Sequence, residues 1–260
     1  MDDALVLMFH GVDGPRSRAA GYAADAHYTV PAMRFAEMLD ALGDAGCTLG
    51  AARDLIDDAG ARKPVWMTFD DGDASNVLEA LPALAARGLK ADFFINPARV
   101  GKAGVMDWSD LRAMAGAGMS LQSHGHTHTY FTHLDDAALR EELRASKDAL
   151  EQSLGQPVTL LAPPGGRVPR GLVALAKSLG YRAVLDSTPG LVHRRDGERP
   201  LPRVAVTAAH RPEQVRRWAV EGMPALRRLR WRHAALASAK AMLGDARYER
   251  WRHRALGAAT

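Results

Sequence analysis

Seven short apolar runs, each rich in β-branched or aromatic residues, alternate with longer stretches of helical spacing over the first 210 residues. In one such stretch Phe35, Met38, Leu39 and Leu42 fall at i, i+3, i+4 and i+7. Strands that alternate with helices form right-handed βαβ units around a parallel sheet. The pattern therefore predicts an α/β fold, with either an open doubly wound sheet or a closed barrel. The predicted strands are Leu5–Phe9, Val65–Phe69, Asp92–Asn96, Met119–Gln122, Val158–Ala162, Ala183–Asp186 and Val204–Thr207.

Charge divides the chain near residue 210. The net charge is +4, but from Arg211 to the end twelve Lys and Arg residues face four Asp and Glu residues, which leaves −4 for the part before it. Three of the five tryptophans also lie in this basic part. A change of composition of this size marks a boundary. We therefore expect a body over residues 1–210 and a basic, Trp- and Arg-rich helical extension over residues 211–260.

Two interpretations of the extension stay open. Arginines interspersed with Trp and Leu over residues 224–260 suit an amphipathic helix on an anionic membrane surface. They suit equally a helix that packs on the body and exposes its arginines to solvent. No nucleic-acid recognition motif accompanies the charge, so we expect no nucleic-acid partner.

Three kinds of sequence feature bear on the cellular location: membrane-spanning runs, secretory signals and cysteines. No run approaches the roughly 20 apolar residues that a membrane-spanning helix needs. The residues before the apolar run Ala4–Phe9 are not basic, which predicts that there is no secretory signal. One cysteine, Cys47, excludes an intramolecular disulfide. We therefore expect a cytoplasmic protein, placed at the inner face of the membrane if the extension binds lipid.

Two adjacent carboxylates, Asp70 and Asp71, directly follow the predicted strand Val65–Phe69. Carboxylates in neighbouring positions at the end of a buried strand repel each other and lose solvation unless a cation lies between them. The pair therefore indicates either a divalent metal site or an Asp-rich turn that caps a helix.

Three histidines within five residues follow the predicted strand Met119–Gln122. His124 and His128 would share one face of a helical turn, whereas His124 and His126 would converge from an extended segment. Two histidines and one carboxylate with an open position form a known arrangement for hydrolytic zinc and for non-haem iron. Together with the Asp pair, the cluster favours a metal site over a solvated His-rich loop.

Two further strand ends carry polar or turn-forming residues. The segment from Ala162 to Arg167, with paired prolines and paired glycines, forms either a plain turn or a rigid loop whose backbone N–H groups approach a ligand. His10 ends the first predicted strand. A lone histidine there is a packed or capped residue, or it joins the other strand ends in one site.

Three segments in this order, 68–72, 124–128 and 162–166, resemble the polysaccharide deacetylases of the NodB-homology type, carbohydrate esterase family 4. The resemblance covers residues 4–210. It implies an incomplete (β/α)7-type barrel with the site at the carboxyl ends of the strands. It also implies metal-dependent removal of acetyl groups from N-acetylated amino sugars in a poly-, oligo- or carrier-linked saccharide. The expected cofactor is one divalent ion, zinc by default, with nickel, cobalt, iron or manganese as alternatives.

The resemblance assigns roles to matching residues. Asp70 would be the catalytic base, and Asp71, His124 and His128 would hold the metal, whereas His126 has no ligand role in the family pattern. The base would take a proton from a metal-activated water that attacks the acetyl carbonyl.

The chain departs from the family pattern in three places. The arginine that orients the base is replaced by Ala162, so we expect Arg167 to compensate and to contact substrate, with the backbone N–H near Gly165 at the oxyanion. The usual Leu-x-His acid near the C-terminus is absent. A subgroup similar to poly-N-acetylglucosamine deacetylases carries that histidine on the first strand, which makes His10 the expected general acid. Of the fourth motif only Asp186 remains.

Two other functions stay open at this point. One is a catalytically impaired module of the same fold that binds a glycan without hydrolysing it. The other is a different metal-dependent amide hydrolase, with His124 and His126 as an extended ligand pair.

Overall fold

The protein folds around one curled, mostly parallel sheet. The structure, a computed structural model, describes residues 3–22, 27–55, 62–193 and 198–243. The strands in these ranges are β1 (Ala4–Phe9), β2 (Gly11–Asp13), β3 (Thr29–Pro31), β4 (Thr48–Gly50), β5 (Pro64–Phe69), β6 (Asp92–Ile95), β7 (Ser120–Ser123), β8 (Leu160–Leu161), β9 (Ala183–Val184), β10 (Leu191–Val192) and β11 (Val204–Ala205). The main sheet has the order β10-β1-β5-β6-β7-β8-β9, with β11 also paired to β1 and β4 to β5.

All seven predicted strands are confirmed, as β1, β5, β6, β7, β8, β9 and β11. Every pair in the main sheet is parallel except β1 with β10. The strands β4 and β10 and the separate β2–β3 pair were not predicted. Each has only two or three residues, which is too short to show a period-two pattern in the sequence.

Helices connect the strands and cover the outer face of the sheet. α2 buries the four apolar residues whose helical spacing predicted it. α6 begins at Asp135, whose carboxylate accepts the N–H of Ala138, and ends at Gly155, which has φ 64°. The helices are α1 (Pro15–Ala19), α2 (Ala32–Asp44), α3 (Ala52–Leu55), α4 (Leu81–Ala85), α5 (Trp108–Gly116), α6 (Asp136–Leu154), α7 (Leu172–Ser178), α8 (Pro212–Glu221) and α9 (Met223–Leu243).

Side chains alternate between the two faces of the sheet. Phe9 of β1 and Phe69 of β5 stack on the helix-covered face, with ring centroids 5.2 Å apart. Val6, Trp66 and Phe94 belong to a second, smaller cluster on the inner, concave face. Because successive side chains in a strand point to opposite faces, this register decides which residue at each strand end points inward.

The sheet curls until its two edges approach each other. A parallel bridge joins Leu185, which follows β9, to Leu201. The chain then runs directly into β11, where Val204 lies opposite Leu7 of β1. These contacts make the incomplete (β/α) barrel that the family resemblance implied, and the polar strand ends converge at one end of it.

The basic extension begins with helices that pack on the body. Val215 and Trp218 of α8 and Leu226 of α9 are buried in the main core, and α8 lies against α2. Trp231 of α9 is 74% exposed. Residues 212–221 and 223–243 are thus helical, whereas the division at residue 210 into a body and an extension stays a prediction. Trp251 and the rest of residues 244–260 lie outside the described residues.

In the described ranges, no helix combines the length and the apolar character needed to cross a bilayer. Contact of residues 224–260 with a membrane surface and a cytoplasmic location stay predictions.

The different burial of Trp218 and Trp231 predicts unequal effects on stability. Trp218→Ala should lower the free energy of unfolding by about 3–5 kcal/mol, because it empties a fully packed site between α8 and the body. Trp231→Ala, the matched control on α9, should change it by less than about 0.5 kcal/mol. Urea denaturation followed by far-UV circular dichroism measures both, and equal effects would contradict the packing of α8 as described.

Candidate metal centre

Inward-pointing residues at the carboxyl ends of the parallel strands form one polar site. His10 follows β1, Asp70 follows β5, Asn96 follows β6 and His124 follows β7. Each continues the inward face of its strand, as the alternation requires. The side chains of Asp70, Asn96 and His124 are buried, so the site lies inside the mouth of the barrel and not on its rim.

Two of these strand-end segments, those after β5 and β7, bring one carboxylate and two imidazoles together. The Oδ1 atom of Asp71 lies 3.3 Å from Nε2 of His124 and 2.9 Å from Nε2 of His128. One donor atom from each residue falls within 4.8 Å of the others. The structure thus places the three predicted metal ligands side by side, and His126 is not part of the group.

Backbone strain accompanies two members of this group. Asp71 and His128 both have φ 72°, the left-handed region that residues other than glycine rarely adopt. Such conformations cost about 1–3 kcal/mol each and persist where the surrounding structure enforces them, most often at functional sites. Here the strain turns both side chains toward His124.

The donor chemistry fits a divalent cation. Nδ1 of His124 lies 2.7 Å from the carbonyl oxygen of Ala162, which can only accept, so Nδ1 carries the proton. In the neutral ring the lone pair is therefore on Nε2, the nitrogen that lies on the side of Asp71. A histidine ligand normally has its second nitrogen fixed in this way by a carbonyl or carboxylate. Two imidazole nitrogens and one carboxylate oxygen suit zinc, and also nickel, cobalt, iron and manganese.

Electrostatics in the group favour positive charge. Burial alone would raise the pKa of Asp71, but hydrogen bonds with His124 and His128 hold it well below its usual range. Burial lowers the pKa of His124, but Asp70 and Asp71 outweigh burial and raise it. Both carboxylates are thus ionised, and His124 has to release its second proton when it binds a cation.

A buried ion pair holds Asp70. Arg203 donates from Nη1 and Nη2 to the two carboxylate oxygens of Asp70, at 2.7 and 2.8 Å, and both side chains are buried. Arg203 is fixed in turn by its Nε bond to the carbonyl oxygen of Asp186 at 2.8 Å. Burial would raise the pKa of Asp70, but Arg203 and His124 outweigh it and keep the carboxylate ionised.

Arg203 was not among the predicted site residues. The sequence led us to expect that Arg167 takes the place of the missing arginine at position 162, and this is corrected here, because Arg203 occupies both oxygens of Asp70. The sequence indicates Arg203 only weakly as a site residue, because it is a single cation directly before the apolar run that forms β11. A charged residue there has to be paired once it is buried.

Arg167 lies instead over an aromatic ring beside the site. Its guanidinium carbon is 3.7 Å from the centroid of the Tyr130 ring. Gly165, with φ 63°, packs so closely that a Cβ there would lie 2.9 Å from Cε1 of Tyr130. A larger residue at position 165 would be strained and would clash with Tyr130.

His10 is half-buried and packs against Tyr28, with ring centroids 4.8 Å apart. Burial lowers the pKa of His10, while the carboxylates of Asp70 and Asp71 act in the opposite direction. Its Nδ1 atom is buried and makes no hydrogen bond among the described residues. A buried imidazole nitrogen of this kind, near two carboxylates, is suited to exchange a proton with a bound substrate.

Asn96 anchors the histidine segment. Its Nδ2 donates to the carbonyl oxygens of His124 and Gly125, at 2.5 and 3.2 Å. Sequence reasoning did not identify Asn96, because it looks like an ordinary polar residue at the end of a strand.

Comparison with known sequences shows which protein family the chain matches. Residues 57–184 match the family model described as polysaccharide deacetylase. A chitin deacetylase from Pestalotiopsis sp is 27% identical over 133 residues, which are 51% of this chain and 44% of that protein. The chain spans about half the length of the curated relatives that it matches. The predicted family resemblance is confirmed.

Comparison with solved structures confirms the predicted fold. The Streptococcus pyogenes deacetylase PplD in complex with acetate has a TM-score of 0.72 at 23% identity, over 82% of this chain and 96% of that chain. A polysaccharide deacetylase from Bacillus cereus has a TM-score of 0.71 at 26% identity, over 82% of this chain and 67% of that one.

Removing the guanidinium should leave the Asp70 carboxylate stranded in the interior. Arg203→Met should lower the free energy of unfolding at pH 7 by about 3–5 kcal/mol, and the double variant with Asp70→Asn should recover part of it. The exposed control Arg144→Met should cost less than about 1 kcal/mol.

The effect of Arg203→Met should depend on pH in one direction. The pKa of Asp70 is lowered in the folded protein, so its stabilising contribution is present above the pKa of an unfolded Asp, about 4, and is lost as the pH falls below it. The penalty of Arg203→Met should therefore shrink on acidification, in urea denaturation at a series of pH values. A penalty that is constant from pH 7 to pH 3 would contradict the ion pair.

Proposed function

Since the chain belongs, through residues 57–184, to the polysaccharide deacetylase family, we propose that it removes acetyl groups from an N-acetylated amino sugar and releases acetate. The substrate is a poly-, oligo- or carrier-linked saccharide. The observation that carries the proposal is an ionised, buried Asp70 next to the group formed by Asp71, His124 and His128.

The reaction makes three demands. An acetamide is a poor electrophile, its oxygen gains negative charge as water attacks, and its amine cannot leave as an anion. A site that hydrolyses it needs an activated water, a group that stabilises the oxyanion, and an acid that gives a proton to nitrogen.

Asp71, His124 and His128 would hold the divalent cation. Bound there, the ion would lower the pKa of a water molecule and polarise the acetyl carbonyl. These three residues orient the donor atoms, and the Ala162 carbonyl keeps His124 in the tautomer that a ligand needs.

Asp70 would be the general base. Arg203 keeps Asp70 ionised and fixes both of its oxygens. The carboxylate would thus be oriented to accept a proton from the attacking water. Because both members of the pair are buried, the carboxylate cannot turn away into solvent.

His10 would be the general acid. Its burial lowers its pKa, and its uncharged ring must gain a proton before it can give one to the leaving nitrogen. The adjacent carboxylates favour the protonated form, which supports a shuttle from Asp70 to the amine through His10. The arrangement is that of the subgroup with the acid on the first strand.

The backbone N–H of Gly165 would contribute to the oxyanion site, and the Tyr130–Arg167 pair would contact the sugar. Aromatic faces and guanidinium groups both bind saccharides well, through stacking and through hydrogen bonds to hydroxyls. The 3.7 Å stacking holds the Arg167 guanidinium in one plane beside the turn that carries Gly165.

A glycan-binding module without activity is the alternative that the loss of arginine at position 162 would favour. The presence of Arg203 on Asp70 speaks against it, because the guanidinium is supplied from another part of the chain. A second alternative, with His126 as a ligand, is disfavoured by its absence from the three-residue group.

Two adjacent aspartates should give opposite results. Asp71→Ala should weaken zinc binding by more than about 100-fold, because it removes a ligand. Asp70→Asn should keep zinc affinity but lower the rate of acetate release by about 10²–10⁴-fold, because the base is lost. Equilibrium dialysis with zinc and an acetate-release assay on N-acetylglucosamine oligomers separate the two effects. Near-normal turnover by Asp70→Asn would exclude Asp70 as the base.

The leaving group decides how much His10 matters. His10→Ala should slow hydrolysis of an N-acetyl sugar by about 10²-fold or more, but should barely slow an activated acetyl ester, whose leaving group needs no proton. The exposed control His193→Ala should change neither rate. Equal losses on amide and ester would show that His10 does not act as the acid.

A further inference from the structure

A buried carboxylate on α6 holds the loop that joins two of the proposed metal ligands. Glu142 lies on α6 and is only 8% exposed. Its Oε1 atom accepts the backbone N–H of Thr127 at 2.6 Å and the Thr127 hydroxyl at 3.0 Å. Thr127 directly precedes His128 in the chain. A helix outside the loop thus fixes the residue next to a proposed ligand.

The same hydroxyl extends the contact past His128 to the following residue. The Thr127 hydroxyl gives its one proton to Glu142, so its oxygen is left to accept. It accepts the backbone N–H of Thr129 at 3.2 Å, and it lies 2.8 Å from the Thr129 hydroxyl, which therefore donates. Glu142 thus holds the residues on both sides of His128.

The loop needs these contacts because its backbone is strained. His128 has φ 72°, a conformation that residues other than glycine keep only where the surrounding structure enforces it. Hydrogen bonds to a carboxylate are strong enough to offset strain of this size. The bonds of Thr127 and Thr129 lie directly beside the strained residue. They favour the backbone turn that brings the His128 imidazole to Asp71.

The other end of the loop has an anchor of its own. Asn96, which follows β6, donates to the carbonyl oxygens of His124 and Gly125. A Cβ on Gly125 would lie 3.1 Å from Oε1 of Glu142 and 2.8 Å from Cε1 of Phe131, so the loop packs tightly on that side as well. The loop 124–128 is therefore held by Asn96 at its first ligand and by Glu142 at its last.

We propose that Glu142 is a positioning residue: through Thr127, it holds His128 in the orientation that binds the divalent cation together with Asp71 and His124. The inference rests on the proposed function, which assigns the cation to this group. Contacts that orient metal ligands typically change metal affinity by about 10–100-fold when they are removed. Glu142 does not belong to the three-residue group, so its effect has to pass through a ligand.

The test measures the zinc affinity of the whole chain by competition with a chromophoric chelator, so that it does not depend on turnover. Glu142→Ala should weaken zinc binding by about 10–100-fold, because His128 loses its hold. Glu142→Gln keeps an oxygen that accepts from Thr127 and should restore most of the affinity. The control Glu141→Ala removes the neighbouring carboxylate, which is exposed and pairs with Arg144, and should leave zinc affinity unchanged.

A double-variant cycle shows which ligand transmits the effect. His128→Ala removes the ligand itself, so adding Glu142→Ala to it should weaken zinc binding by less than about twofold further. The same fold-loss from Glu142→Ala with and without His128 would show that Glu142 only supports the fold, and it would overturn the inference. Unchanged zinc affinity in Glu142→Ala would overturn it as well.

A second variant covers the case in which Glu142→Ala does not fold, as judged by far-UV circular dichroism. Thr127 is exposed, so Thr127→Val removes the hydroxyl with little effect on packing and keeps the backbone N–H. It should weaken zinc binding by about threefold or more, because the hydroxyl link between Glu142 and Thr129 is lost. Unchanged zinc affinity in folded Thr127→Val would then reject the positioning role.

Failure of the proposed function gives a different result. If the wild-type protein binds zinc but releases no acetate from any N-acetylated sugar, deacetylation is rejected, while the zinc affinities still decide the role of Glu142. If acetate is released but Glu142→Ala binds zinc as tightly as the wild type, the positioning role is rejected and deacetylation stands. A wild-type protein that binds no divalent ion would reject both.

Discussion

The buried pair of Asp70 and Arg203 is the interaction on which the site depends. Each partner alone would be a charge in the interior of the barrel, which is costly, and together they satisfy each other through two hydrogen bonds. Arg203 stands directly before β11, the strand that returns to β1. Closure of the barrel and orientation of the carboxylate are therefore coupled: displacing β11 would release Asp70, and losing Asp70 would leave a buried cation beside the closing strand.

The three-residue group beside it depends on local strain as well as on topology. Asp71 and His128 adopt left-handed backbone conformations, and Asn96 holds the carbonyl groups of the histidine segment. Adjacent residues at a strand end normally diverge, because successive side chains point to opposite faces. The turn at Asp71 breaks this alternation, so that Asp70 faces Arg203 while its neighbour faces the imidazoles. The two carboxylates thus have different hydrogen-bonding partners, although His124 interacts electrostatically with both.

Features carried by local sequence patterns could be predicted, and features made by contacts between distant residues could not. Apolar runs and helical spacing identified seven strands and α2, and motif spacing identified the three residues that the structure groups together. Arg203 pairs with a residue 133 positions away, and nothing in the residues around it indicates that partner. Arg167 was the nearest cation to the altered motif in sequence, but Arg203 is the one that reaches Asp70 in space.

A barrel allows the arginine that holds Asp70 to come from a strand other than the one before position 162. The carboxyl ends of all its parallel strands surround one centre, so a group supplied from any of them can reach the same point. Here His10 comes from the end of β1, and the guanidinium of Arg203 comes from the residue before β11. The base proposed here has to be a fixed, ionised carboxylate, and Arg203 fixes both oxygens of Asp70. Arg203 thus supplies the guanidinium that Ala162 cannot, and the alanine does not by itself argue against the proposed activity.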